Sequence, residues 1–152
     1  MSLKEKLQND LTDAMRARDE IRSSTIRMIL TSIKNEEVAG KEARELNDTE
    51  IITVLFQEAK KRREAAEAFD QAGAKDRADQ ERAEGVVIGE YLPKQLTEDE
   101  IKSLIKDAVA ETGASTPAQM GLVMKSLQPK IAGKADGGLV SSLVKAALAG
   151  GN

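Results

Sequence analysis

The chain has 152 residues, enough for one ordinary domain or two small ones, with 40% hydrophobic and 32% charged residues. Its 23 basic and 26 acidic residues leave a net charge of −3, so the chain lacks the global basic excess of many nucleic-acid binders and any RNA contact must come from a local patch. It contains no Cys and no His, which excludes disulfides, thiolate nucleophiles, imidazole bases and the commonest nitrogen ligand for metals.

Aromatic residues make up only 2%, namely Phe56, Phe69 and Tyr91. A sheet core usually leans on aromatic and β-branched side chains, whereas Ala, Leu, Glu, Lys and Arg favour helix. An all-α fold is therefore expected. The first helix is predicted from about Leu3 to Arg18, with Leu3, Leu7, Leu11 and Met15 on one stripe. The second is predicted from about Glu20 to Val38, where Ile26, Ile29, Leu30 and Ile33 follow helical spacing and Gly40 stands just past the end. Lys41 to Asn47 reads as a loop.

The third helix is predicted from about Thr49 to Ala72, capped by Asp48 or Asn47, with Ile52, Leu55, Ala59, Ala66 and Phe69 on one face. The fourth is predicted from about Lys75 to Leu92. Gly85 and Gly89 lie inside it, and they predict either close approach of another helix or a fraying end. Pro93 blocks helical backbone at the residue before it, and Pro93 to Leu96 is the expected domain boundary.

A capping box of Thr97 and Glu100 opens the next helix, which carries Ile101, Leu104, Ile105, Ala108 and Val109 and ends at Gly113. Thr116-Pro117 starts another, with Met120, Val123, Met124 and Leu127 on its stripe. Asp136 caps the last, which bears Leu139, Val140, Leu143, Val144 and Leu148. The chain ends in Gly150-Gly151-Asn152, where fraying is expected. The expected architecture is a helical N-terminal domain of about four helices over residues 1–93, followed by a small three-helix tail domain over 94–152.

Several segments share a pattern with a known family. They are Arg22-Ser23-Ser24-Thr25-Ile26-Arg27-Met28, Lys60-Lys61-Arg62-Arg63-Glu64 with Ala68-Phe69, and Tyr91-Leu92-Pro93-Lys94-Gln95-Leu96. Near the end come Met120-Gly121-Leu122-Val123-Met124 and Gly133-Lys134-Ala135-Asp136-Gly137. In order and spacing the chain resembles the YqeY family, also called the GatB/YqeY domain family. Gly85 and Gly89 depart from it, since relatives usually carry helix formers there. The resemblance implies two helical domains. It also implies a relationship to the tail of the B subunit of the tRNA-dependent amidotransferase, where the tail helps hold tRNA while the active centres lie elsewhere. Stand-alone relatives are often labelled carbon–nitrogen ligases with glutamine as amido-N-donor.

The residues do not support that label as an activity of this chain alone. Releasing ammonia from glutamine needs an activated nucleophile with a positioned base. Ser23-Ser24 falls in a predicted helix, where a hydroxyl commonly bonds a carbonyl of the preceding turn. Ser115 and Ser141-Ser142 lie in no amidase-like loop. Gly133-Lys134-Ala135-Asp136-Gly137-Gly138 lacks phosphate-loop spacing. Glu36-Glu37, Asp19-Glu20 and Glu98-Asp99-Glu100 are grouped carboxylates, and the last three fall in a helix's first turn, where they complement the macrodipole without a metal. No catalytic residue, cofactor or metal site is expected.

Two basic groups are candidates for RNA. Lys60, Lys61 and Arg63 surround Arg62 on the third helix, and the alternative there is an internal ion-pair network, with Glu84 and Glu90 as partners of a half-buried Arg62. Lys125, Lys130, Lys134 and Lys145 lie in the tail, the first three expected to cluster around the junction of its last two helices, with Gly137 and Gly138 offering backbone N–H groups to a phosphate unless Asp136 occupies them as the cap. Arg16, Arg18, Arg22 and Arg27 have acidic neighbours at Asp13, Asp19 and Glu20.

The expected function is a non-catalytic binding module for tRNA or for a tRNA-processing or amidotransferase enzyme. An amidotransferase accessory and a protein–protein adaptor are the alternatives, the latter motivated by the balanced charge and by Met120 and Met124. The amino terminus, Met-Ser-Leu-Lys-Glu, has no apolar signal core, and no apolar run approaches the ~18 residues of a membrane span. A cytoplasmic protein is expected.

Overall fold

The computed structural model describes residues 1–150, and the expected fraying at Gly151 and Asn152 lies outside them. The described residues form seven α-helices and one 3₁₀ turn and no strand, so the all-α expectation holds. The chain divides into two compact units, one from Met1 to Leu92 and one beginning at Pro93.

The first unit holds α1 (Leu3–Arg16), α2 (Glu20–Glu37), α3 (Asp48–Gln71) and α4 (Lys75–Gly89). Leu7, Ile26, Ile29, Ile33, Ile51, Leu55 and Ile88 are fully buried in its core, with Val54, Val87, Leu46 and Tyr91 around them. Ile51 and Val54 take the inner face of α3, and Ile52 is only half-buried. The inner face is thus rotated from the expected Ile52–Ala59 line. The polar Glu58 lies on it, and that interrupts the apolar pattern.

Helix ends explain the differences in boundary. α1 stops at Arg16 because Arg18 adopts a left-handed backbone, φ 57°, which turns the chain so that Asp19 accepts the Arg22 N–H and caps α2. Asn47, not Asp48, caps α3, in a reciprocal box with Glu50. Asp48 instead accepts the Leu3 N–H at 3.0 Å, tying α3 to α1. α4 ends at Gly89 rather than Leu92, and tight turns through Tyr91 and Leu92 finish it. A Cβ on Gly85 would sit 3.8 Å from Arg62 Cβ, an ordinary contact, and one on Gly89 would meet nothing within 4 Å. Neither glycine is required by close helix approach, and α4 is regular through both.

Charged side chains clamp the elements together. Glu37 is buried, with 5% of its side chain exposed, and accepts from Lys4 Nζ and from the Leu46 N–H, each at 3.0 Å. That fixes the Lys41–Asn47 loop so that Leu46 enters the core. Arg22 grips Glu90 with two hydrogen bonds, 2.8 and 3.0 Å, joining α2 to the end of α4. The Tyr91 hydroxyl donates to Asp10, and Lys6 lies 4.6 Å above its ring.

The carboxyl of Glu37 is held below its ordinary range by the Leu46 N–H and then by Lys4, and that of Glu90 by Arg22. Glu50 and Asp70 are lowered by Arg44 and Arg82, and Glu100 by the Thr97 N–H. A depressed folded-state value means stability that is present above the unfolded value of about 4 and lost as pH falls through the folded value. Thermal melting against pH should therefore show a steep acid loss below about 4. With no His, it should be flat between about 5 and 8, and a transition inside that window would contradict this account.

Candidate nucleic-acid interface

The second unit holds α5 (Glu98–Thr112), the 3₁₀ turn Pro117–Gln119, α6 (Met120–Ile131) and α7 (Gly137–Ala149). Ile101, Ile105, Ala108, Val123, Leu127, Ile131, Val140, Val144 and Leu148 meet in a core of its own. The Thr97–Glu100 box opens α5, and Gly113, with φ 71°, closes it. Thr116 and Pro117 lead into the 3₁₀ turn, which runs directly into α6.

The turn between α6 and α7 carries Lys134 and is pinned from the start of the unit. Gln95 donates from Nε2 to the Gly133 carbonyl at 2.8 Å, and the Leu96 N–H donates to the Lys134 carbonyl at 2.9 Å. Gly133 takes φ 72° to make that turn. The Tyr91–Leu96 segment thus has two anchored ends. Tyr91 is bonded within the first unit, and Gln95 and Leu96 within the second. Gln95 was not among the expected site residues, although it lies in a segment that carried the family resemblance.

After Gly113 the chain carries four lysines, Lys125, Lys130, Lys134 and Lys145, against the single carboxylate of Asp136. All four lysines are exposed and form no ion pair among the described residues. They do not share one face. Lys125 and Lys130 are five residues apart on α6, which at about 100° per residue places them roughly 140° apart around the helix. Val123, Leu127 and Ile131 mark its core side, so Lys125 points nearly opposite the core and Lys130 stands on the flank. Lys130 in the last turn of α6 and Lys134 in the following turn form the closer group, beside the negative end of the helix dipole. Lys145 stands on α7, one residue from buried Val144.

Gly137 and Gly138 open α7, but Asp136 Oδ1 accepts the Gly138 N–H at 3.1 Å. The anion position is occupied by the protein's own carboxylate, so the backbone here is not an open phosphate cradle.

The basic run on α3 is used differently. Arg62 is 20% exposed and reaches Glu81 at 3.2 Å, Glu84 at 3.5 Å and Glu58 at 3.8 Å, with Met28 Sδ 3.0 Å away. Arg62 Nε and Glu81 Oε2 are buried without a well-aligned hydrogen bond, so charge rather than geometry holds that contact. Glu84 is the partner expected from sequence. Glu90 is not, because Arg22 takes it. Lys61 pairs with Glu58 at 3.1 Å, and Lys60 is also engaged. Arg63 is exposed.

Two hydroxyls of α2 are bonded to backbone, and the Ser32 hydroxyl donates to Glu58 Oε1 at 3.2 Å. Ser24 Oγ donates to the Ile21 carbonyl at 3.2 Å and Thr25 Oγ1 to the same oxygen at 2.7 Å. No group of three or more His, Cys, Asp and Glu among the described residues could hold a metal ion, and no described helix is long and apolar enough to cross a membrane.

Comparison with known proteins agrees with the pattern of segments. The profile of a family described as Yqey-like protein matches residues 4–148. Three yeast proteins, each named "Altered inheritance of mitochondria protein 41, mitochondrial", are similar along most of their length. That of Lachancea thermotolerans is 28% identical over 147 residues, covering 93% of this chain and 76% of the relative. That of Clavispora lusitaniae is 30% identical over 129 residues, covering 83% and 74%. That of Candida glabrata is 26% identical over 125 residues, covering 82% and 68%. These names overturn the cytoplasmic expectation, which rested on the amino-terminal residues and on the lack of a long apolar run: the relatives are named as mitochondrial proteins.

Proposed function

Because the chain belongs to the Yqey-like protein family, we propose that it is a non-catalytic binding module that holds tRNA through the second unit. The observation that carries this reading is the run of four exposed, unpaired lysines after Gly113 with one carboxylate among them. In the first unit Arg22, Arg44, Arg62 and Arg82 have carboxylate partners. The exposed Arg16, Arg18, Arg27 and Arg63 form no ion pair among the described residues but stand among many more acidic residues than the tail lysines do. The second unit has no aromatic residue on which an unpaired base could stack. Contact is therefore with phosphates and with helical shape, and base identity matters little. The resemblance to an amidotransferase tail favours the same class of ligand, with the chemistry performed by another protein.

Lys130 and Lys134 are the central contacts, Lys125 and Lys145 are flanking ones, and the Gly137–Gly138 backbone contributes little while Asp136 occupies it. Fluorescence-anisotropy titration of tRNA against salt tests this. Each phosphate contact contributes about one unit to the slope of log affinity against log salt, so K130E/K134E should lower the slope by about two and weaken binding sharply at low salt. K125E should do less. A wild-type affinity and slope in K130E/K134E would remove the assignment.

A further inference from the structure

A groove of about 430 Å³ runs between α5 and α7 on the second unit. Its floor is apolar: Ile105 and Val109 from α5, Leu143 and Ala147 from α7. One wall is formed by Lys102 and Lys106, a turn apart on α5, and the other by Ala146. Beyond the groove, Leu139 continues the α7 wall one turn before Leu143 and is 42% exposed. Helix α7 has a single charged residue, Lys145, in its 13. Such a helix ordinarily has its outer side covered, yet Leu139 and Ala146 stand in water. The only charges lining the groove are positive. Lys106 has no ion pair among the described residues, and Lys102 reaches only Glu98, at 3.5 Å between two largely exposed side chains.

We propose that this groove docks an amphipathic helix of a partner protein, apolar on one face and acidic along one flank. Two packed helices present ridges into which a third helix fits, and apolar anchors at i, i+3, i+4 and i+7 read such a groove. The lysine wall selects the sign of the flank. Acidic side chains beside Lys102 and Lys106 complete the rim, whereas basic ones meet like charge. An apolar floor offers nothing to a phosphate, which separates this surface from the Lys130–Lys134 edge.

The test uses the full chain and a fluorescein-labelled helical peptide with leucines at that spacing and glutamates along one flank. Anisotropy should show saturable binding. The same peptide with lysines on the flank should bind at least about tenfold more weakly, as should the acidic peptide to K106E and to A146E. Ala146 and Lys106 are exposed, so both variants should retain wild-type helicity. K130E/K134E, which tests the RNA edge, should bind the peptide normally, so the two readings fail separately. Absence of saturable binding, equal binding of both peptides, or wild-type binding by A146E would overturn the proposal. So would tight binding of laurate by a protein that ignores the peptide, which would identify the groove as a lipid site.

Discussion

Replacement of Arg62 by Ala is expected to cost about 3 kcal/mol of unfolding free energy, the low end of the range for breaking a buried ion pair by removing one partner. The side chains of Glu58, Glu81 and Glu84 are 7%, 21% and 16% exposed and converge on that one guanidinium. Without it, three carboxylates face one another between α3 and α4, and only the exposed Lys61 remains beside Glu58. The imperfect alignment at Glu81 argues for the lower end of the range. Urea titration should show a lower midpoint with an unchanged slope. Arg62→Met combined with Glu81→Leu and Glu84→Leu should recover part of the loss, because apolar groups can replace buried ionic ones and Glu58 keeps Lys61. A loss below about 1 kcal/mol in the Ala variant would mean that the pairs behave as ordinary surface contacts.

Leu127→Ala should unfold the second unit while leaving the first intact. Leu127 is fully buried at the centre of a small core, and truncating such a residue costs about 2–5 kcal/mol. A unit of this size holds only about 3–5 kcal/mol in all. Spectroscopy can separate the two units, because Phe56, Phe69 and Tyr91 all lie before Pro93. Far-UV ellipticity should fall while the near-UV signal of Tyr91 persists, and tRNA affinity should fall with the ellipticity. Loss of both optical signals together, or of neither, would contradict independent cores.

Among the basic residues, sequence separated the two candidate groups and favoured the tail over the α3 cluster, on the scarcity of acids near the tail lysines. A lysine or arginine looks the same whether it meets a phosphate or a glutamate. The α3 cluster is absorbed because α4 runs antiparallel beside it and supplies Glu81 and Glu84, and Glu58 comes from the same helix. Glu90 was expected there as well, but the end of α4 lies beside Arg22 of α2. The lysines after Gly113 could be recognised as a run, since nearby acids are scarce in the sequence itself. Their division between faces of α6 follows from helical pitch and needed only the correct helix boundary. The α5–α7 groove was not legible, because it depends on which flanks of two separate helices come together.

The periodic apolar residues, the capping box at Thr97, Gly113 and Pro93 determined the helices by themselves, because those preferences act within a turn or two of chain. So did the absence of Cys, His and tail aromatics, which limits the chemistry and the mode of any RNA contact. Tertiary structure decided what local rules cannot reach. It buried Glu37 against Lys4 and Leu46, and it carried α6 through Pro129 by seating Ile131 in the core. It set Gln95 on the α6–α7 turn and paired Arg22, Arg44, Arg62 and Arg82 of the first unit with carboxylates while leaving Lys125, Lys130, Lys134 and Lys145 of the second in water. Each of these depends on partners distant in sequence, whose pairing is fixed only when the apolar faces have packed.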